Sequence, residues 1–233
     1  MMDPLSGLEG EVILLSLKVA FWALVFGMPA ALAVAWVLAR KEFPGKIMLD
    51  ALVHLPLVMP PVATGYLLLL LLGRRGWVGA SLDQWFGIVF AFRWTGAVVA
   101  AIVMAFPLMV RPIRQALLAV DPHLEDAAKT MGAGPVSVFW TVTLPLSLGG
   151  IIAAGVLGFA KALGEFGATM TFVSNIPGET RTLPLAIHTA LQIPGGEYTA
   201  LRLTLVSVTV SVLALLASEL LVRRLRHGGG RAP

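Results

Sequence analysis

"LEDAAKTMGAGPVSVFWTVTLP", residues 124–145, is a polar interruption in a chain that is 58% hydrophobic. Just before it, Asp121-Pro122 reads as an N-cap followed by proline at the first helical position, a strong helix start. Glu125 and Asp126 fall in the opening turns, where the helix dipole favours carboxylates. Leu124, Ala127, Ala128 and Met131 recur at spacings of three and four and share one face, with Glu125, Asp126 and Lys129 away from much of it. Gly132 stands where such a helix ends. Pro135 then opens a second short helix that carries Val138, Phe139 and Val142 toward Leu144-Pro145 and a long apolar run. The segment predicts a helix-turn-helix outside the hydrocarbon, with a face of small residues.

The flanking sequence requires a membrane. Of 233 residues only 13% are charged, the mean hydropathy is +0.87, and soluble domains carry about twice that charged fraction. About 20 apolar residues cross a bilayer core. Val12–Ala39, Ala51–Leu72, Trp94–Val110, Leu144–Ala168 and Leu203–Val222 meet or approach that length. The expected fold is an all-α integral membrane protein of five transmembrane helices, with residues 85–92, "WFGIVFAF", interfacial or forming a sixth span. Residues 1–10 read as an external tail, 11–222 as the membrane domain and 223–233 as a basic cytoplasmic tail. There is no cysteine, so disulfides and thiolate chemistry are excluded. The basic residues are scattered between apolar runs and form no nucleic-acid patch.

Lysine and arginine accumulate in cytoplasmic loops. With the N-terminus outside, the inner segments hold ten: Arg40, Lys41, Lys46, Arg111, Arg114, Lys129, Arg223, Arg224, Arg226 and Arg231. The outer segments hold five, Arg74, Arg75, Arg93, Arg181 and Arg202. This two-to-one bias favours an external N-terminus and a cytoplasmic C-terminus, and it puts residues 111–142 inside.

Proline inside a helix removes a backbone donor and invites a kink. "LPLVMPPVATG" places Pro56, Pro60 and Pro61 within six residues, which predicts a kinked or unwound span lining a path. Pro60, Pro61, Lys161 and Glu165 are the candidate path residues; charges inside spans point first to function. Lys161 and Glu165 stand four apart, a spacing that favours a local ion pair, or snorkelling outward, over contact with cargo. Arg181 and Lys18 are weaker candidates, with only sign and side in their favour. Gly150, Ala154, Gly158, Gly164 and Ala168 follow small-residue spacing and read as helix packing. No HExxH, Gly-x-Ser-x-Gly or Gly-rich phosphate loop is present, so the chain cannot hydrolyse ATP alone.

Amphipathic helices that rest on lipid are usually rich in Lys and Arg. The helix between Pro122 and Gly132 has two acids and one lysine in 124–131, which favours a protein partner over the membrane surface. The order Asp126-Ala127-Ala128, three residues, Gly132, nine residues, Val142-Thr143-Leu144-Pro145 resembles the "EAA" signature of permease subunits of bacterial ABC importers. It departs in Asp for Glu at 126 and Val for Ile at 142; Glu125 is an alternative carrier of the acidic role. The resemblance implies a type I importer permease fold in which the loop 121–142 is the coupling helix seated on an ATPase subunit. Glu125, Asp126, Ala127, Ala128, Gly132, Leu144 and Pro145 are then the coupling residues.

"KALGEFGATMTFVSNIPGETRTLPLAIHTALQIPGGE", residues 161–197, is similar to molybdate permeases, and the likeness runs from about residue 11 to 222. Sulfate permeases share a Gly-Glu-aromatic-Gly segment but continue differently; tungstate is a near isostere of molybdate. The resemblance implies a homodimer working with two cytoplasmic ABC ATPase subunits and an extracytoplasmic molybdate-binding protein, within membrane lipid. It also implies ATP and Mg held by the ATPase subunit and no cofactor in this chain. A channel or secondary carrier is the rival class; a carrier predicts inverted repeats, and no convincing repeat is present.

Overall fold

The computed structural model describes residues 7–228, so the first six residues of the 1–10 tail and the last five of the basic tail lie outside the described residues. No strand occurs among the described residues. Helix α1 is Gly7–Arg40, 34 residues. At 1.5 Å per residue it extends about 50 Å, well beyond a ~30 Å hydrocarbon core, so its two ends emerge on opposite sides. Helix α5, Trp94–Leu118, lies against it and forms the centre of the molecule. The core is built largely from α5 side chains, with Ala97, Ala100, Ala101, Met104, Met109, Val110, Ile113 and Leu117 all buried.

The register between helices gives their directions. Lys18 Nζ sits 3.7 Å from the Trp94 ring, and a β-carbon at Gly27 would lie 3.6 Å from Ile102. Positions 18 and 27 therefore match 94 and 102, and α1 and α5 run parallel. Helix α8, Leu144–Leu163, runs antiparallel to α5. Its Gly150 abuts Ala116 and Pro112, and a β-carbon at Gly158 would lie 2.6 Å from Met109. The small-residue spacing thus serves close helix packing, as expected. The last helix, α11, Glu197–Gly228, begins beside the start of α1, where Arg202 Nη2 donates to Glu9 Oε2 at 2.8 Å.

Two expected spans are redrawn, and the stretch between the second and third is placed. The second is not one helix from Ala51: it is α2, Lys46–Val58, and α3, Pro61–Leu72, meeting at 117°. Pro60 and Pro61 cannot donate to the ladder, and Met59 turns extended, with ψ 146°. The stretch 85–92, expected to be interfacial, is the end of a helix and the loop after it. The helix there is α4, Trp77–Phe86, ended by Gly87. The fourth span begins at α7, Pro135–Val138, runs through a π-helical turn at Phe139–Thr143, and stops at Leu163 rather than Ala168. Gly164–Phe166 interrupts it before α9, Gly167–Val173. A further helix, α10, Leu183–Leu191, is pinned to α1 where the Leu183 N–H donates to Ser16 Oγ at 2.6 Å.

Candidate functional site

The segment 121–145 folds as α6, Pro122–Thr130, followed by a turn, α7 and the π-helical turn. The Asp121 carboxylate accepts from the His123 N–H at 2.9 Å and caps α6. Gly132 takes φ +89°, a left-handed conformation that glycine alone adopts without strain. Pro145 explains the π-helical turn. Its ring cannot donate to the Thr141 carbonyl and crowds it; the ladder widens ahead of it, so that the Leu144 N–H bonds to the Phe139 carbonyl five residues back.

That widening accompanies an inward-facing Thr143, and here the sequence reading needs correction. Glu125, grouped with Asp126 and Lys129 away from the small-residue face, instead points into the protein. Its Oε1 accepts from Arg40 Nη2 at 2.6 Å and from Thr143 Oγ1 at 2.7 Å. The Glu125 side chain is 14% exposed and that of Arg40 21%, so water screens the pair only in part. One carboxylate oxygen therefore joins the end of α1, the middle of α6 and the entry to α8. Arg40 and Thr143 escaped the sequence reading. Arg40 is 85 residues away from Glu125, and nothing in a single sequence marks that pairing.

The remaining positions separate by face. Ala128 is buried beneath α6, so the expected apolar face is divided: Leu124, Ala127 and Met131 are exposed. Asp126 is also exposed and pairs with Lys129 at 2.8 Å. That bond holds the Asp126 carboxyl below its usual range and raises the Lys129 ammonium, so both are charged at neutral pH. Leu144 is half-buried and Pro145 exposed. The outer surface of α6 is thus a shallow ridge with an ion pair on it, and Glu125 and Ala128 anchor it from below.

A second feature lies where the two broken helices meet. A β-carbon at Gly167 would lie 2.8 Å from Pro61 Cβ, and one at Gly65 would lie 2.5 Å from the Ala168 carbonyl oxygen. The starts of α3 and α9 are therefore in backbone contact. Glu165 is buried at this junction; its Oε1 accepts from the Ala168 N–H at 3.0 Å and its Oε2 pairs with Lys161 Nζ at 2.8 Å. Lys161 and Glu165 thus pair with one another and Pro61 abuts Gly167, two residues further on, while Pro60 caps α3; both prolines are exposed. Toward the other end, Lys18 and Arg181 line a cleft of about 370 Å³ with Glu11. Arg181 is oriented by Asn175, whose Oδ1 accepts from its Nε at 2.9 Å.

The chain as a whole is similar to known transport proteins. Residues 23–227 match the family described as binding-protein-dependent transport system inner membrane component. The chain is 58% identical to the molybdenum transport system permease protein ModB of Escherichia coli (strain K12), over 96% of this chain and 97% of that one. It is 52% identical to the protein of the same name from Haemophilus influenzae, over 96% and 98%. Among solved structures, a bacterial alginate ABC transporter in complex with alginate pentasaccharide-bound periplasmic protein superposes with a TM-score of 0.76 at 17% identity, covering 94% of this chain and 80% of that one. At that identity the likeness speaks for the fold.

Proposed function

The chain belongs to the binding-protein-dependent transport system inner membrane component family, and on that premise we propose that it is the permease subunit of an ATP-driven molybdate importer. It is a multi-pass protein of the cytoplasmic membrane. The observation that carries the mechanism is the joint at Glu125: an exposed ridge, 122–131, fastened at a single carboxylate to α1 and α8. A ridge that only rested on lipid would have no need of such a fastening.

In this reading two copies form the membrane part, and each offers α6 to one ATPase subunit, which binds the ATP and Mg. Five spans are proposed, the α2–α3 pair making one: the parallel run of α1 and α5 supports a return of the chain across the bilayer within residues 41–93. The excess of basic residues on the α6 side puts that side in the cytoplasm and the start of α1 outside, where a molybdate-binding protein docks. Docking of the ATPase must differ in free energy between two conformations, since equal binding to both moves nothing.

The path is proposed to pass the junction of α3 and α9. Lys161 and Glu165 neutralise one another there, so a passing dianion meets no net charge that would hold it. Molybdate is favoured over sulfate by the segment 161–197 and by whole-length identity to molybdenum permeases. Competitive uptake tests this in cells lacking their own molybdate and sulfate importers and supplied with this chain and its partners. Labelled molybdate should enter, with tungstate competing and a large excess of sulfate leaving entry unchanged. Uptake of sulfate but not molybdate would reject the assignment, and uptake persisting without ATP would favour the carrier class.

A further inference from the structure

A groove on the outward side of α1 and α5 has the form of a lipid site. Lys18, Trp22 and Phe26 are spaced four apart and share one face of α1. Trp22 and Phe26 stack with ring centroids 5.3 Å apart. Together with Phe90, Trp94, Val99 and Ile102 they line a groove of about 320 Å³, in which Thr95 supplies the only hydroxyl. From Trp94 to Ile102 the groove runs about 12 Å along the helix, close to the ~15 Å depth of one hydrocarbon leaflet.

One end of this groove is charged. Lys18 Nζ lies 3.7 Å from the Trp94 ring, and the other side of the same lysine faces the cleft that holds Arg181 and Glu11. Arg93, exposed, immediately precedes Trp94. Glu179 Oε1 accepts from the Trp94 N–H at 3.3 Å, so cations and carboxylates both stand near the mouth of this apolar slot, and Lys18 is the cation in contact with its Trp94 wall. Tryptophan at that depth is the usual marker of the membrane–water interface.

We propose that this groove binds a single anionic phospholipid of the surrounding membrane, its phosphate held by Lys18 and one acyl chain laid between α1 and α5. The cation–π contact leaves the ammonium protons away from the ring free to donate to phosphate oxygens. An acyl chain satisfies a slot with almost no polar lining, and the Lys18 ammonium at its mouth selects the headgroup charge. The inference rests on the chain spanning a bilayer and is independent of its cargo.

Native mass spectrometry tests it on the detergent-purified full chain titrated with dioleoyl phosphatidylglycerol or dioleoyl phosphatidylcholine. Phosphatidylglycerol should be retained at one per chain and phosphatidylcholine far less. Lys18→Gln should weaken phosphatidylglycerol by about fivefold, the order of one lysine's attraction to anionic lipid, and Lys18→Arg should restore it. Val99→Trp, which fills the slot, should weaken both lipids. Equal retention by wild type, Lys18→Gln and Val99→Trp would overturn the proposal. So would release of the lipid by molybdate, which would make the mouth a cargo site. The chain has no cysteine, so a disulfide-linked dimer formed by Phe26→Cys alone would instead assign the groove to a second copy.

Discussion

Glu125→Ala is expected to separate ATP hydrolysis from import: molybdate uptake by the assembled transporter falls at least about tenfold while its ATPase activity persists. The side chain lies below the α6 ridge, so its loss leaves Leu124, Asp126 and Met131 displayed. What disappears is the attachment to α1 and α8, where one oxygen accepts from Arg40 at 2.6 Å and from Thr143 at 2.7 Å. Removing one partner of a mostly buried pair leaves the other charge without compensation; with both groups partly exposed, about 1–3 kcal/mol is a reasonable cost. Each 1.4 kcal/mol is a factor of ten in an equilibrium between conformations. Glu125→Gln should be milder, because its amide oxygen still accepts from Thr143. The exchange Glu125→Arg with Arg40→Glu should recover part of the uptake. Parallel loss of ATPase activity and uptake in Glu125→Ala would show that the residue holds the docking surface itself rather than its connection to the spans.

The second large effect is expected at the junction of α3 and α9. Gly65→Leu should abolish recovery of monodisperse protein. The β-carbon alone would lie 2.5 Å from the Ala168 carbonyl oxygen and 2.9 Å from both Ala168 Cα and Thr171 Cβ. Two of those three atoms are backbone and cannot rotate away. Even Gly65→Ala is expected to cost about 1–3 kcal/mol, read as a lower aggregation temperature in detergent, and the larger side chain costs more. Gly149→Leu is the matched control, since a β-carbon there meets nothing within 4 Å. If Gly65→Leu behaves as the control does, the two helices are not in backbone contact and the path must lie elsewhere.

The parts legible in the sequence were those governed by local rules. Asp121-Pro122 marks the start of α6, Gly132 its end and Pro135 the next helix, and each does so through backbone chemistry contained within a few residues. The apolar lengths located the long helices for the same reason. What failed depended on partners distant in the chain. Glu125 and Asp126 are adjacent acids in one helix turn, and only the position of Arg40 decides which of them faces inward. The division of the fourth span at Gly164–Phe166 was hidden because Gly and Phe are ordinary residues of an apolar run; the break is supported by Glu165 accepting from the start of α9 and by Pro61 packing on Gly167. The three prolines announced a distorted second span, but its 117° bend is a property of the packing around it.

The absence of cysteine permits a direct test of the central claim, that the α6 ridge meets the ATPase from the cytoplasmic side. Met131→Cys is 81% exposed at the end of this ridge, and Gly178→Cys lies in the loop near the opposite end of α1. In membranes carrying the complete transporter, a heterobifunctional thiol-to-amine reagent should link the thiol at position 131 to a lysine amine of the ATPase subunit and leave position 178 unlinked to it. A crosslink to the ATPase from 178 and none from 131 would contradict both the docking surface and the orientation.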